Sequence, residues 1–309
     1  QTVTTGILTT VPIAAGDYHS LQIRSDGTVW ACGYNYYGEL GDGTKVKRIE
    51  AVQVKDLENI VAVSAGNSYS VALMNNGTVW TWGYGENRQL GNGTRTNSST
   101  PVKVKGLNDV VAIKAGNSHT LALKGDGTVW AWGSNYYGEL GNGTTNEIAE
   151  PVQVSGLNNI IAISAGYGFN LALKDDGTVY AWGYNYYGQL GDGTNNNSLI
   201  PIKVNGLSDV KNIFASRYNS IVLKSDGTVW AWGSNSYGLL GYGTINEISY
   251  VPVQVKDLSD VNAIVSKYGH NLALKNDGTV WAWGYNSNGQ LGNDTLINSY
   301  VPVKVKALY

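Results

Sequence analysis

The chain has 309 residues, a formal net charge of -2 and only 14% charged residues, too weak a field for a phosphate backbone, so no nucleic-acid partner is expected. A single cysteine, Cys32, excludes a disulfide framework and a Cys-rich zinc site. No apolar run reaches the roughly 18 residues of a membrane helix, so no membrane insertion is expected.

The first expected element is a short apolar strand that runs into Ala-Gly or its equivalent. It starts at Ile13 and again at Val63, Ile113, Ile163, Ile213 and Ile264. An alternating strand follows, as in SYSVALM at residues 68–74. Next comes a two-residue Asp-Gly or Asn-Gly turn, a strong hairpin signal. The returning strand, TVWAWG at residues 128–133, sets Trp130 and Trp132 on one face, because strand side chains alternate. A loop with Gly133, Gly138, Gly141 and Gly143 leads to a last short strand at Pro151, where proline suits a strand start or an edge. No segment carries a useful helical period, so the fold class is all-β.

The unit recurs. Asp-Gly-Thr begins at 26, 126, 176, 226 and 277, with Asn76 in place of Asp in the second copy. The step is 50 residues, and 51 once, with the extra residue in Tyr250-Val251-Pro252. Such a period marks a radial or stacked repeat. We expect one domain, 1–309, folded as a six-bladed β-propeller, with units of about 13–62, 63–112, 113–162, 163–212, 213–263 and 264–309 plus 1–12. The chain opens before an Ala-Gly strand and closes after a Pro-Val strand. The two termini are therefore expected to complete one blade and close the ring.

Aligned copies show what each column does. Gly27 and its five equivalents serve positive φ in the turn. Trp30 and its equivalents read as core. The paired column holds Trp82, Trp132, Trp182, Trp232 and Trp283, but Cys32 in the first unit, a gap that a neighbour from the N-terminal segment would fill. Asn35, Asn135, Asn185, Asn235 and Asn286 suit bonding to loop backbone. His19, His119 and His270 share a column with Phe169, which favours packing over metal ligation. Glu39 and Glu139 alternate with glutamine, and Asp42 and Asp192 with asparagine, so no carboxylate pair stands apart. No Ser-His-Asp set emerges, and Gly-Asp-Gly-Thr lacks the lysine of a phosphate loop. We expect no enzyme, no cofactor and no metal.

The segment AGNSHTLALKGDGTVWAWGSNYYGELGNGT, residues 115–144, resembles the regulator-of-chromosome-condensation repeat family, and the likeness covers essentially the whole chain. Members commonly carry seven blades where this sequence supplies six. The resemblance implies a propeller whose loop face engages a protein: a small GTPase, another propeller or a β-lactamase. A bacterial propeller inhibitor of β-lactamase has a similar short repeat with aromatic loops. The family's plant ultraviolet receptor carries tryptophan in the pair leading into the first hairpin strand, and none occurs here.

The copies differ most at one end. The lead-in pairs run from Asp17-Tyr18 through Tyr167-Gly168 and Arg217-Tyr218 to Tyr268-Gly269, and the exit stretches follow the Trp strand. These stretches should lie opposite the Asp-Gly turns and hold 15 of the 21 tyrosines. Tyr with Asn, Ser and Gly suits recognition loops. Candidate binding residues are Asp17, Tyr18, Tyr34, Tyr36, Tyr84, Arg88, Tyr136, Tyr167, Tyr184, Tyr186, Arg217, Tyr218, Tyr268 and Tyr285. Half the tyrosines, notably Tyr37, Tyr137, Tyr187 and Tyr237, are expected to cap blades instead. The expected function is a monomeric, non-enzymatic module for a protein partner. The alternatives are a carbohydrate-binding propeller and an amplified or designed scaffold without a selected partner. Low charge with abundant Gly, Asn, Thr, Tyr and Trp points to a secreted or cell-surface bacterial protein.

Overall fold

The computed structural model describes residues 11–267 and 269–306, with backbone only at Lys267. Its strands form six four-stranded antiparallel sheets. The first sheet consists of β1 (Ile13–Ala15), β2 (His19–Ile23), β3 (Val29–Gly33) and β4 (Arg48–Gln53). The others span 60–103, 110–153, 160–203, 210–254 and 261–304. The all-β six-bladed reading is borne out. One detail differs: every sheet consists of four consecutive strands, and among the described residues no blade is shared between the termini. The reason is phase. A unit begins with its innermost strand, so β1 to β4 already complete the first blade.

The hairpin turn also differs from a two-residue loop. Ile23 is the last residue of β2 to pair, with Val29, and between them the Gly27 N–H donates to the Arg24 carbonyl. Only Gly27 has positive φ, +78°. Asp26 keeps negative φ because its carboxylate accepts from the Thr28 N–H (2.9 Å) and hydroxyl (2.6 Å), a local turn bond that needs no left-handed residue.

The apolar core lies between blades. Tyr69, Val71 and Val79 of the second blade pack with Val110, Ile113 and Trp132 of the third. Strand alternation puts one row of each sheet against the next blade. Five such clusters join the six blades in sequence. At each of these five seams a tryptophan of the later blade is fully buried and bonds back to the earlier one. The indole N–H of Trp82 donates to the Glu39 carbonyl (2.8 Å), Trp132 to Gln89 (2.9 Å), Trp182 to Glu139 (2.9 Å), Trp232 to Gln189 (2.8 Å) and Trp283 to Leu239 (3.0 Å). A large apolar ring with its polar handle satisfied is a strong lock. Trp30, Trp80, Trp130, Trp230 and Trp281 are only half-buried, contrary to the expectation of a fully core column. They sit two residues earlier on the same strand, nearer the Asp-Gly turn, and Arg24, Lys124, Lys224 and Lys275 lie over four of them.

The asparagine column does what its position suggests. Asn135 accepts the Leu140 N–H (2.9 Å) and donates to the carbonyls of Thr144 (2.9 Å) and Asn146 (3.0 Å), which fixes the glycine-rich loop. Among the described residues no helix is long and apolar enough to cross a membrane.

Candidate functional site

Register places the variable stretches together. His19 pairs with Gly33, so the Tyr34 N–H reaches the Tyr18 carbonyl at 2.9 Å, and the same bond recurs as Tyr84 to Ser68, Ser134 to Ser118, Tyr184 to Gly168 and Ser234 to Tyr218. Lead-in and exit stretches therefore share one end of each blade. The Asp-Gly turns stand at the other.

The innermost strands line a central opening of about 300 Å³, walled by Ala15, Ala65, Ala115, Ala165 and Ala215. Asp17, Asn67, Asn117, Tyr167 and Arg217 stand around it. Lys114 stands in this wall where the next blade has Ser164, and burial pushes its ammonium below the usual lysine range.

Around the opening the tyrosines form continuous ring contacts. One run links Tyr18, Tyr34, Tyr36, Tyr37 and Tyr84 through centroid spacings of 6.1, 6.3, 4.9 and 4.7 Å. A longer run crosses three blades, from Tyr136 to Tyr137 (4.8 Å), Tyr184 (4.5 Å) and Tyr187 (6.2 Å), then to Tyr218 (4.8 Å) and Tyr167 (5.6 Å). Tyr186 joins it at Tyr187 (5.1 Å). The Arg217 guanidinium lies 5.6 Å from the Tyr167 ring and 5.2 Å from Tyr218. Tyr237 meets Tyr285 at 4.9 Å.

The rings divide by exposure. Tyr18 (68%), Tyr36 (63%), Tyr136 (76%) and Tyr186 (59%) present their surface outward. Tyr37, Tyr137 and Tyr187 are half-buried against a tyrosine of the following blade and act as caps. Tyr84, Tyr184, Tyr218 and Tyr285 are half-buried, and burial followed by neighbouring hydroxyls pushes the Tyr184 phenol up to about 12. The second blade interrupts the aromatic run. Asn87 stands in the Tyr37 column, and Arg88 and Arg95 turn to Glu147 at 3.7 and 3.4 Å. Tyr268 lies outside the described residues.

Sequence reasoning passed over one group here. Glu139 is buried beneath this surface, where it accepts the Tyr137 N–H at 2.7 Å, and burial lifts its carboxyl to about 7. Glu39 repeats the arrangement under Tyr37 at 2.9 Å, and burial raises it too. Their column alternates with glutamine, which read as a lack of chemistry; the two-residue offset from a tyrosine in a tight loop was the available signal. The Cys32 gap does not close among the described residues: Cys32 lines a surface cavity of about 450 Å³ with Ile13 and Ala15. Filling by residues 1–10 falls outside the described residues.

Comparison with known proteins gives a consistent picture. A model of the RCC1-like domain matches residues 2–309. The crystal structure of human WBSCR16 is 26% identical and superposes with a TM-score of 0.84, covering 97% of this chain and 82% of that one. Yeast RCC1 (Prp20), solved bound to Kap60, is 22% identical with a TM-score of 0.83, covering 96% and 74%, a likeness of fold. The mitochondrial RCC1 domain-containing protein RUG3 of Arabidopsis thaliana is 39% identical over 59 residues, or 18% of this chain and 13% of that protein. The chain thus matches a small part of this curated relative. These relatives are human, yeast and plant, one of them mitochondrial by name, and that overturns the expectation of a secreted or surface-attached bacterial protein. The compositional impression behind it follows from the repeat: every copy needs its turn glycines, loop asparagines and seam tryptophan whatever the compartment.

Proposed function

This chain belongs to the family of RCC1-like domains, and on that premise we propose that it is a non-enzymatic scaffold that binds a protein partner on the face of the lead-in and exit loops. The observation that supports this most is the aromatic run from Tyr136 to Tyr167 with Arg217 stacked at its end. Tyrosine and arginine are the side chains most enriched where interfaces concentrate binding energy. Here the capping rings hold the outward ones in place, so little side-chain entropy remains to be lost on binding. The yeast relative solved with Kap60 is a propeller of this fold in a protein complex.

The test is capture of partners by the wild type beside a variant carrying Tyr136→Ala, Tyr186→Ala, Tyr167→Ala and Arg217→Ala, with matched circular dichroism and melting. A partner retained by the wild type and lost by the variant supports the reading. Equal capture by both removes the face from consideration. A second reading, glycan binding, draws on the near-parallel pairs Tyr34–Tyr36 (22°) and Tyr184–Tyr186 (11°), whose outer rings offer flat faces to sugars. Millimolar multisite sugar binding lost in the same variant would favour it over a protein partner.

A further inference from the structure

A backbone-to-serine hydrogen bond crosses the inner edge of two seams. The Ala115 N–H of the third blade donates to the Ser64 hydroxyl of the second at 2.9 Å, and the Ala215 N–H of the fifth to Ser164 of the fourth at 2.9 Å. The seam between these two, from third to fourth blade, has no counterpart among the described residues. Register puts Lys114 there in the serine column: Lys114 pairs with Leu121 as Ser64 does with Val71 and Ser164 with Leu171. The other described members are Ala14, Phe214 and Val265, so the column carries one charge. The Ala165 N–H turns the same way as its equivalents. The Gly166 N–H donates to the Phe169 carbonyl (2.8 Å), as Gly116 does to His119 and Ser216 to Asn219, so by antiparallel alternation the amide before it points off the sheet. An ammonium has three donors and no acceptor, so Lys114 cannot take that hydrogen. Lys114 lines the central cavity of about 300 Å³ with Ser164, Gly166 and Ser216. It makes no hydrogen bond or ion pair among the described residues, and burial alone lowers its ammonium. Ser266 lines the same cavity, and its hydroxyl is buried without a partner. Asp17 and Arg217 stand at the mouth, one of each sign.

We propose that the central cavity is a binding site for a small phosphate-class oxyanion, which accepts from the Lys114 ammonium and the Ala165 N–H together and so bridges the third and fourth blades where serine bridges the seams on either side. The donor set selects the ligand. A half-buried ammonium with no carboxylate beside it calls for a negative charge, and the neighbouring amide calls for a second acceptor on the same molecule. Phosphate offers several oxygens in a tetrahedral array to donors on two walls, and lysine serves it as a point charge; a planar carboxylate is matched better by the fork of an arginine. The cavity stands at roughly the lower end of ligand-pocket volumes, room for free phosphate or a small organic phosphate. The site is set in the inner strands and does not rest on the tyrosine face as a protein interface.

The test titrates the full chain with inorganic phosphate, glycerol phosphate and succinate at constant ionic strength, with chloride as the control. Backbone amide NMR and thermal unfolding are the readouts. Phosphate should bind saturably with a Kd on the order of millimolar, move the Ala165 amide among the largest shifts and raise the melting temperature above that in chloride. Lys114→Ser restores the serine of its column, so it should melt no lower than the wild type in chloride, yet bind phosphate about tenfold more weakly or not at all. Lys114→Met, of similar length without the charge, should lose binding equally and keeps the test valid if serine disturbs the seam. Tyr136→Ala should leave binding unchanged. Tighter binding of glycerol phosphate than of phosphate marks an organic phosphate as the ligand and the reverse marks the free ion; both support the site. Binding no stronger in phosphate than in chloride, binding kept by Lys114→Ser and Lys114→Met, or an Ala165 amide that does not move overturns the proposal. Succinate binding more tightly than either phosphate overturns the ligand class.

Discussion

The indole N–H of Trp132 donates to the backbone carbonyl of Gln89, 2.9 Å away, across the boundary between the second and third blades. The ring is fully buried, and the loop glycine Gly91 lies against it because any Cβ there would stand 2.6 Å from the indole nitrogen. Trp132→Phe removes the donor and part of the ring, leaving a cavity and a Gln89 carbonyl that keeps only the Thr120 hydroxyl at 3.2 Å. The expected loss is about 2–4 kcal/mol, read from urea unfolding, with an unchanged fold by circular dichroism.

Glu139 gives a pH signature. Burial raises its carboxyl from 4.5 to about 7 in the folded state. The folded chain therefore holds a proton that the unfolded chain has released between those values. The stabilising contribution is full below about 4.5 and disappears as pH rises through 7. Glu139→Gln should flatten this slope and raise stability at pH 8 by on the order of 2–3 kcal/mol. Glutamine is accommodated, since Gln189 accepts the Tyr187 N–H at 3.0 Å in the same column. Denaturant midpoints from pH 4.5 to 8 measure it.

His119 acts with the opposite sign. It is fully buried, and burial lowers its imidazole from 6.5 to about 4. Its Nε2 lies 2.7 Å from the Asn170 Oδ1 and carries the proton, because the Asn170 amide already donates to the Glu139 carbonyl. The neutral ring is stabilising above about 6.5, and that contribution is lost as pH falls towards 4. His119→Phe copies the residue at Phe169. It should cost about 1–3 kcal/mol at pH 8 through the unpaired Asn170 oxygen, yet lose less stability than the wild type between pH 6.5 and 4. Melting in Glu139→Gln and His119→Phe backgrounds separates the two slopes.

Gly238 and Gly289 occupy equivalent loop positions with nearly the same backbone, φ +76° and +77°. A Cβ at Gly238 would stand 2.7 Å from the Tyr300 Cα of the next blade, whereas at Gly289 the nearest atom is Leu296 Cδ2 at 3.8 Å. Alanine carries the same backbone strain at both. Gly238→Ala should therefore be the more destabilising by about 1–3 kcal/mol. Equal losses, measured by chemical unfolding, would mean that the sixth blade is covered like the rest.

Much of this was legible in the residues because the signals are short-range. Alternation in SYSVALM, the Asp-Gly turns and the 50-residue step give strands, hairpins and blade number without knowledge of any neighbour. The shared end of lead-in and exit stretches also follows, since a hairpin has only two ends. The candidate tyrosines were found by their variation, and Tyr37, Tyr137 and Tyr187 were expected as caps from their recurrence, but the rings they cap were not. Tyr136 and Tyr137 are adjacent in sequence, and only contact with Tyr184 of the next blade makes one a cap. The half-burial of Trp80 against the full burial of Trp82 was hidden for the same reason, because both lie on one face of the same strand and only Trp82 reaches the Glu39 carbonyl of the preceding blade.

The sequence by itself determined the repeat, its six copies, the all-β blades and the end at which variation gathers. The tertiary structure decided that, among the described residues, each blade is complete in consecutive strands, that Glu139 is buried, and that Leu274 of the sixth blade is exposed where its equivalents are buried. Local pattern sets a blade, but the angle between blades is set by side-chain volumes summed over every seam. Whether six such angles bring the last face against the first is a property of the whole ring. Cys32 illustrates the division: its column marks it as a missing tryptophan, and only the folded chain shows that no described residue takes the indole's place.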